Sequence, residues 1–202
     1  MTVSQWPVQL QHGDVQLRPL KLSDRTQWSE LRTRNVEWLR KWDATLPMAD
    51  ESVPVTFGAM VRLLRKEAKA GRSLSFAILY QGVLAGQITL GGISYGSLRA
   101  ANIGYWIDER VAGRGIMPTA VALVGDYAIA VLRLHRIEIN LRPENEASRR
   151  VVDKLGFQYE GRRVAYLHID GDWRDHDCYV MTSTTAEPAL MAALSSRRLK
   201  GT

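Results

Sequence analysis

The chain has 202 residues, 46% hydrophobic and 24% charged, with a formal net charge of +6 and one cysteine. Its length suits one domain able to bury about 70% of the surface an unfolded chain exposes, and no run of about 18 uncharged apolar residues offers a membrane span. A lone thiol excludes an internal disulfide, and the opening Met1-Thr-Val-Ser-Gln-Trp6-Pro7 lacks the basic start and apolar run of a secretory signal, so a reducing cytoplasm is expected.

In chain order, Val15-Gln-Leu-Arg-Pro19 alternates like an opening strand, and Ser23 is placed to cap a helix over 24–32. A second helical stretch carries Val36, Leu39 and Trp42. After a loop over 43–53, helical spacing of Phe57, Met60, Val61, Leu64 and Ala68 predicts a helix over 55–70. Segments 74–80 and 83–93 read as a hairpin turning at Gln81-Gly82. A strand over 102–107, a helix over 116–132, a strand over 135–141 and a helix over 144–155 follow. Strands over 157–169 and 173–184 turn at Asp170-Gly171-Asp172, and 187–199 closes the chain as a helix. This order predicts an α/β fold with a sheet of mixed direction, one domain over 1–202 with a core over 15–182 and a helical tail over 186–199.

The segment Arg110-Val-Ala-Gly113-Arg114-Gly115 lies between the strand ending at Ile107 and a helix opening Ile116-Met117-Pro118. Glycines there can take backbone angles closed to other residues, and the first helical amides have no internal partner. With the helix dipole they form a cradle for a phosphate or pyrophosphate at 113–117, with Arg110 and Arg114 in support. Pro118 is tolerated in the first turn, where its missing N–H would be unpaired anyway. Many such loops serve only as turns. This one lacks the lysine and hydroxyl of a P-loop and the third glycine of a dinucleotide fingerprint, so nucleotide hydrolysis and hydride transfer lose ground.

Arginines recur through Arg32, Arg34, Arg40, Arg62, Arg65, Arg72, Arg149, Arg150, Arg162 and Arg163, and only Arg197-Arg-Leu-Lys200 is clustered. Solvated faces account for most of them, with a polyanionic cofactor or a ribosomal surface as the sharper alternative, and no strong nucleic-acid signal emerges. His12, His135, His168 and His176 show no metal-ligand spacing, so no metal is expected. Cys178 has strand-like neighbours and reads as a structural thiol.

The elements Gly104-Tyr-Trp-Ile107-Asp108, Gly113-Arg-Gly115-Ile-Met117, Asn145-Glu-Ala-Ser148, Lys154-Leu-Gly156-Phe157, Glu160-Gly161 and Asp170-Gly-Asp-Trp-Arg-Asp175 together resemble the GNAT acetyltransferases, and more narrowly their RimJ/RimL branch, which acetylates N-terminal amines of ribosomal proteins. The resemblance covers about 15–182. It implies the GNAT fold, in which the strands before the glycine loop and before Asn145 lie parallel but splay, so that the pantetheine arm of acetyl-CoA enters between them. Main-chain groups around Tyr105, Ile107 and Asp108 would bind that arm as a further strand would. Gly113, Arg114, Gly115, Ile116 and Met117 would hold the pyrophosphate, and Asn145 would bind the arm or cap its own helix.

For the chemistry, the resemblance implies that Ser148 protonates the departing thiolate, where the bland reading is a helix-surface hydroxyl. The tyrosine found four residues later in many members is Val152 here. A related N-terminal acetyltransferase type carries a glutamate base where this chain has Asn140, which can orient water but cannot take a proton. Glu138 shares its face by strand alternation, and acts either through a water or in an ion pair with an arginine. Asp175 and Asp177 share a face and offer a base or a binding carboxylate for the substrate ammonium. Trp38 and Trp42 would wall the acceptor pocket, with helix packing as their ordinary use. An α-amine with a pKa of about 8 is partly neutral near pH 7, which softens the need for a base. The expected activity is direct acetyl transfer to a protein N-terminus, foremost a ribosomal protein beginning with alanine or serine. A small-molecule amine acceptor, or a non-catalytic module binding CoA, RNA or a ribosomal surface, is the alternative, and homodimerisation is left open.

Overall fold

A computed structural model describes residues 6–48, 56–186 and 189–200, the last four of these by backbone alone. The expected start of a helix at Val55, that of the last helix at Glu187, the far end of the 43–53 loop and the side chains of the Arg197 to Lys200 cluster lie outside the described residues. Strand formation begins earlier than the alternation at Val15 indicates: β1 (Leu10–His12) pairs antiparallel with β2 (Val15–Pro19) across Gly13, whose φ of +53° suits glycine. The helices α1 (Arg25–Arg34), α2 (Val36–Arg40) and α3 (Phe57–Lys69) follow. Next come β3 (Leu74–Tyr80), β4 (Val83–Ser94), β5 (Ala100–Ile107), α4 (Ile116–Asp126), β6 (Arg136–Leu141) and α5 (Glu146–Leu155). The chain closes with β7 (Gln158–Ile169), β8 (Asp172–Thr182) and α6 (Leu190–Lys200).

The eight strands form one sheet in the order β1-β2-β3-β4-β5-β6-β8-β7. Every neighbouring pair is antiparallel except β5 and β6. Strand β3 is buried on both faces, and its alternation divides the core. Leu74, Phe76 and Ile78 enter the larger cluster with Ile88, Val121, Val124 and Leu190, while Ala77 and Leu79 enter a smaller one with Leu31, Val61 and Leu84. Helices thus cover both sides of the sheet. Truncating Phe76, which has no exposed surface, to alanine is worth about 3–5 kcal/mol on the usual scale for such losses.

Three local expectations are corrected. Ser23 lies inside a 3-10 turn (Leu22–Asp24) and caps nothing. The buried Asp24 governs that corner instead, accepting from the Lys21 N–H at 2.7 Å and from both Arg18 nitrogens at 2.7 and 2.8 Å. Burial pushes its pKa up, but the bonds from Arg18 and Lys21 outweigh it and hold the carboxyl below its ordinary value. Trp42 falls in the turn after α2, because that helix ends at Arg40. The single helix expected over 116–132 changes winding, α4 giving way to a π-helical turn at Tyr127–Val131. Just before that turn the Asp126 carboxylate accepts from the Leu190 and Met191 N–H groups at 2.8 and 3.0 Å, satisfying two orphan amides at the start of α6. Gly125 leaves room for Leu190, whose Cδ1 would lie 2.4 Å from an added Cβ.

Candidate active site

Strands β5 and β6 pair only at Ala100–Arg136, Ala101–Ile137 and Asn102–Glu138. Beyond that point β5 runs on to Ile107 bonded to β4 alone, so the two strands fork and the β6-side edge of β5 has no strand partner. Asn140 spans the crotch, its Nδ2 donating to Asn102 Oδ1 at 3.0 Å. The Asn140 Oδ1 is buried and has no partner among the described residues.

At the end of β5 the chain is fastened before it turns. The Asp108 N–H donates to the Ala85 carbonyl at 2.8 Å, and the Asp108 carboxylate accepts from Arg34 at 2.7 Å and Asn35 at 3.0 Å. The same side chain caps the 3-10 turn Glu109–Val111. Burial raises its pKa, and the Arg34, Asn35 and Arg110 N–H bonds lower it by more, so it remains an anion below the usual carboxylate range. The Asp108 side chain thus ties the α1–α2 junction to the sheet. It does not line the cavity described next.

Gly113 and Gly115 sit at φ +81° and +79°, the left-handed region that favours glycine, and an added Cβ on Gly113 would meet nothing within 4 Å. They lead into α4, where the Thr119 hydroxyl donates to the Gly115 carbonyl at 2.9 Å. Gly113, Gly115, Ile116, Met117 and Pro118 line a cavity of about 450 Å³ that lies along the forked edge of β5. A bare glycine main chain beside free helix N-terminal amides is what a pyrophosphate requires, and the open fork offers strand-like bonding to an extended arm. Acetyl-CoA fits this arrangement.

Two expectations about the cofactor side shift. The Ile107 carbonyl, expected to be free, accepts from Trp38 Nε1 at 3.2 Å, although Ile107 lines the cavity. Arg110 and Arg114 do not line it, and Arg114 turns back onto the Arg110 carbonyl at 3.3 Å. The cations that do reach the wall are Arg150 and Lys154, on one face of α5 with Ala147 and Val151. That helical spacing was legible in the sequence.

Asn145 caps α5, its Oδ1 accepting from the Ser148 N–H at 3.0 Å, and both residues line the cavity. Facing them from β5 is a residue expected to contribute main chain only. The Tyr105 hydroxyl is buried, lacks a partner of good hydrogen-bond geometry among the described residues, and lies against the Ser148 side chain. Burial pushes its pKa up to about 12, with Ser148 moderating the rise. Strand alternation gives the face of Tyr105, and nothing local pairs it with a serine on another element.

From α2, the turn after it and β4, the residues Trp38, Trp42, Asp43, Gln87 and Thr89 also line the wall. Arg142 lies over the Trp42 ring at 5.6 Å and Lys41 at 4.9 Å. Gln87 accepts from Trp28 Nε1 at 3.2 Å and donates to Ser75 Oγ at 2.9 Å, which fixes it as a rigid polar floor. Among the described lining residues Asp43 is the one carboxylate. Arg32 bonds it at 2.5 and 3.3 Å from outside the wall, and that guanidinium rests 5.1 Å from the Trp106 ring. The next residues latch to the β7–β8 hairpin tip: Ala44 bridges Ile169, and Thr45 Oγ1 meets His168 Nδ1 at 2.8 Å and the Gly171 N–H at 3.0 Å.

The remaining acidic candidates lie outside this wall. Glu138 is clamped by Arg136 and Arg163, each at 2.7 Å. Burial pushes its pKa up and the two arginines push it down by more, leaving a poor proton acceptor. Asp175 accepts from the Ala165 N–H at 2.9 Å inside the hairpin, and Asp177 is buried against Arg162 at 2.8 Å and Arg149 at 3.5 Å. Cys178 is buried, and burial followed by the nearby Glu138 raises its thiol to about 11, as an inert structural cysteine requires. Among the described residues no group of three or more His, Cys, Asp or Glu is placed to hold a metal, and no helix is long and apolar enough to cross a membrane.

Residues 14–158 match the family model described as an acetyltransferase (GNAT) domain. The chain is a GNAT acetyltransferase. As such it catalyses acetyl transfer with acetyl-CoA as cosubstrate. This acetyltransferase superposes on Mycobacterium smegmatis RimJ in complex with CoA-disulfide with a TM-score of 0.89, at 34% identity over 95% of each chain. It is 34% identical to a probable N-acetyltransferase of Bacillus subtilis, YjcK, over 80% of its own length and 90% of the relative's. It is also 29% identical to the [ribosomal protein uS5]-alanine N-acetyltransferase of Escherichia coli, over 82% and 87% of the two chains.

Proposed function

We propose that this acetyltransferase modifies the α-amine of a protein N-terminus, foremost a ribosomal protein whose first residue is small, in the cytoplasm, and that residues 1–202 act as one catalytic domain. What carries the reading is the make-up of the cavity lining: Arg150, Lys154 and the glycine loop bring positive groups to it, and Asp43, itself paired with Arg32, is the one carboxylate among the described lining residues. An anionic donor suits the first set of groups, and an amine acceptor suits the carboxylate. The likeness to RimJ of M. smegmatis and to the uS5-alanine enzyme supports a protein N-terminus as the source of that amine.

Proton chemistry points the same way. No histidine, no glutamate and no carboxylate other than Asp43 stands among the described lining residues, so the acceptor must supply its own neutral fraction. An α-amine with a pKa of about 8 does so near pH 7, whereas a lysine at about 10.4 scarcely does. In this reading Asn145 orients the donor's arm, Ser148 serves the leaving sulfur, and Trp38 and Trp42 keep the acceptor's first side chain small. Asn140 holds the fork, and Glu138 and Asp175 take no part in proton transfer.

The test compares kcat/KM for a peptide beginning Ala-Arg, the same peptide blocked at its N-terminus but carrying a lysine, and a panel of small amines including polyamines. The free N-terminal peptide is expected to be the best substrate. A blocked peptide or a small amine in first place would sink the N-terminal reading while leaving acetyl transfer intact.

A further inference from the structure

The buried hydroxyl of Tyr105 lacks a well-formed hydrogen bond among the described residues, and a donor left unmade in a dry place is costly. It lies in the wall of the acetyl-transfer cavity, on the strand edge left bare by the β5–β6 fork, against the side chain of Ser148. Ser148 is held in the first turn of α5, where a serine hydroxyl readily turns back to bond neighbouring main-chain groups. Its backbone is fixed by Asn145, but that bond leaves the hydroxyl rotor free to choose.

We propose that Tyr105 is the positioning residue for Ser148: its O–H donates to Ser148 Oγ and thereby turns the serine's own proton toward the thioester sulfur. The inference rests on the acetyl-transfer reading and on the place of Ser148 in it. As the amine nitrogen forms its bond to the acetyl carbon, the carbon–sulfur bond breaks and its electron pair stays on sulfur. The sulfur takes the Ser148 proton, and Ser148 recovers one from the acylated nitrogen. One proton thus passes from nitrogen to sulfur, the products are an amide and a free thiol, and Tyr105 keeps its own proton throughout. Its pKa of about 12 suits that part, since a phenol so protected donates a hydrogen bond at every working pH and never serves as the base.

Tyr105→Phe removes one oxygen and preserves the ring, so the fold is expected to survive. For whichever amine the wild-type protein turns over, this variant should lower kcat by about ten- to thirtyfold with KM for acetyl-CoA unchanged, against about a hundredfold for Ser148→Ala. The double variant should be no slower than Ser148→Ala alone, because a positioning hydroxyl has nothing left to position. Wild-type kcat in Tyr105→Phe, or losses that multiply in the double variant, would overturn the proposal. A second readout needs no turnover: ultraviolet difference titration of the thiol of bound CoA, whose pKa should rise in Ser148→Ala and rise partway in Tyr105→Phe. Identical titrations for wild type and Tyr105→Phe would also overturn it. A wild-type protein that acetylates no amine while showing the expected titrations would instead count against the functional reading.

Discussion

The parts of the cavity wall proposed for the donor and for the acceptor are built in different ways. The donor part is made largely of main chain from two short continuous segments, the loop leading into α4 and the cap of α5, and its geometry is fixed by glycine φ angles and helix amides. The wall proposed for the acceptor is made of side chains tied together from far apart: Trp38 reaches Ile107 across 69 positions, Trp28 reaches Gln87 across 59, and behind the wall Thr45 reaches His168 across 123. A backbone cradle suits a ligand shared by a whole family, because side chains can change around it. An assembled wall can be retuned one residue at a time, which is how specificity is ordinarily set.

The largest expected effect strikes the donor part. Gly113→Val or Gly115→Val places a β-branched residue at φ near +80° and fills space a phosphate needs, so acetyl-CoA affinity should fall by at least about a hundredfold with the far-ultraviolet spectrum retained. Calorimetry giving wild-type affinity in both variants would show that the loop is only a turn. Asp108→Asn attacks the joint between the two parts. It should cost about 2 kcal/mol in urea unfolding by leaving Arg34 without its charge partner, and raise KM for the acceptor more than for acetyl-CoA. Because the folded pKa of Asp108 is depressed, its contribution is complete above the unfolded value of about 3.9 and is lost as pH falls through the folded one. The acid limb of the stability profile should therefore shrink in the variant without vanishing, since Asp24 and Glu138 are depressed too.

Smaller effects test the acceptor wall. Asp43→Asn should raise KM for the acceptor by about tenfold and leave KM for acetyl-CoA alone, which follows if the carboxylate receives the acceptor's charge. Equal changes in both would show that Asp43 merely holds Arg32. The mildest expectation is Thr45→Ala, where loss of the hairpin latch should change acceptor KM by about two- to threefold through a loosened strap. No change in acceptor KM there would mean that the Ala44–Ile169 bridge suffices.

The contrast also marks what the sequence made legible. The glycine loop and the Asn145 cap are encoded within a few residues each, and most strands follow from alternation and turn glycines, whereas the fork and the part given to Ser148 come through the family resemblance. Asp43 is one aspartate in an irregular loop, and its Arg32 pair and the neighbouring hairpin latch are contacts that no local pattern announces. Glu138 shows the limit of alternation: it shares a face with Asn140, yet Arg163 from β7 covers that face and removes Glu138 from the site. Asp175 is likewise taken up by the bulged main chain at Ala165, whose φ is +47°. Tyr105 was visible only as backbone, because Ser148, which its side chain lies against, is on an element the pattern does not place opposite it.

The short join between β5 and β6 has a thermodynamic corollary. A strand that pairs for three residues and then stands bare is a seam along which the sheet can part, and an arm seated in the fork would close it. Resistance to unfolding then tracks the supply of acetyl-CoA, gaining about 2.7 kcal/mol when the ligand stands at a hundred times its dissociation constant. Without acetyl-CoA the same chain should open along that seam more often, which limited proteolysis with and without the ligand would measure.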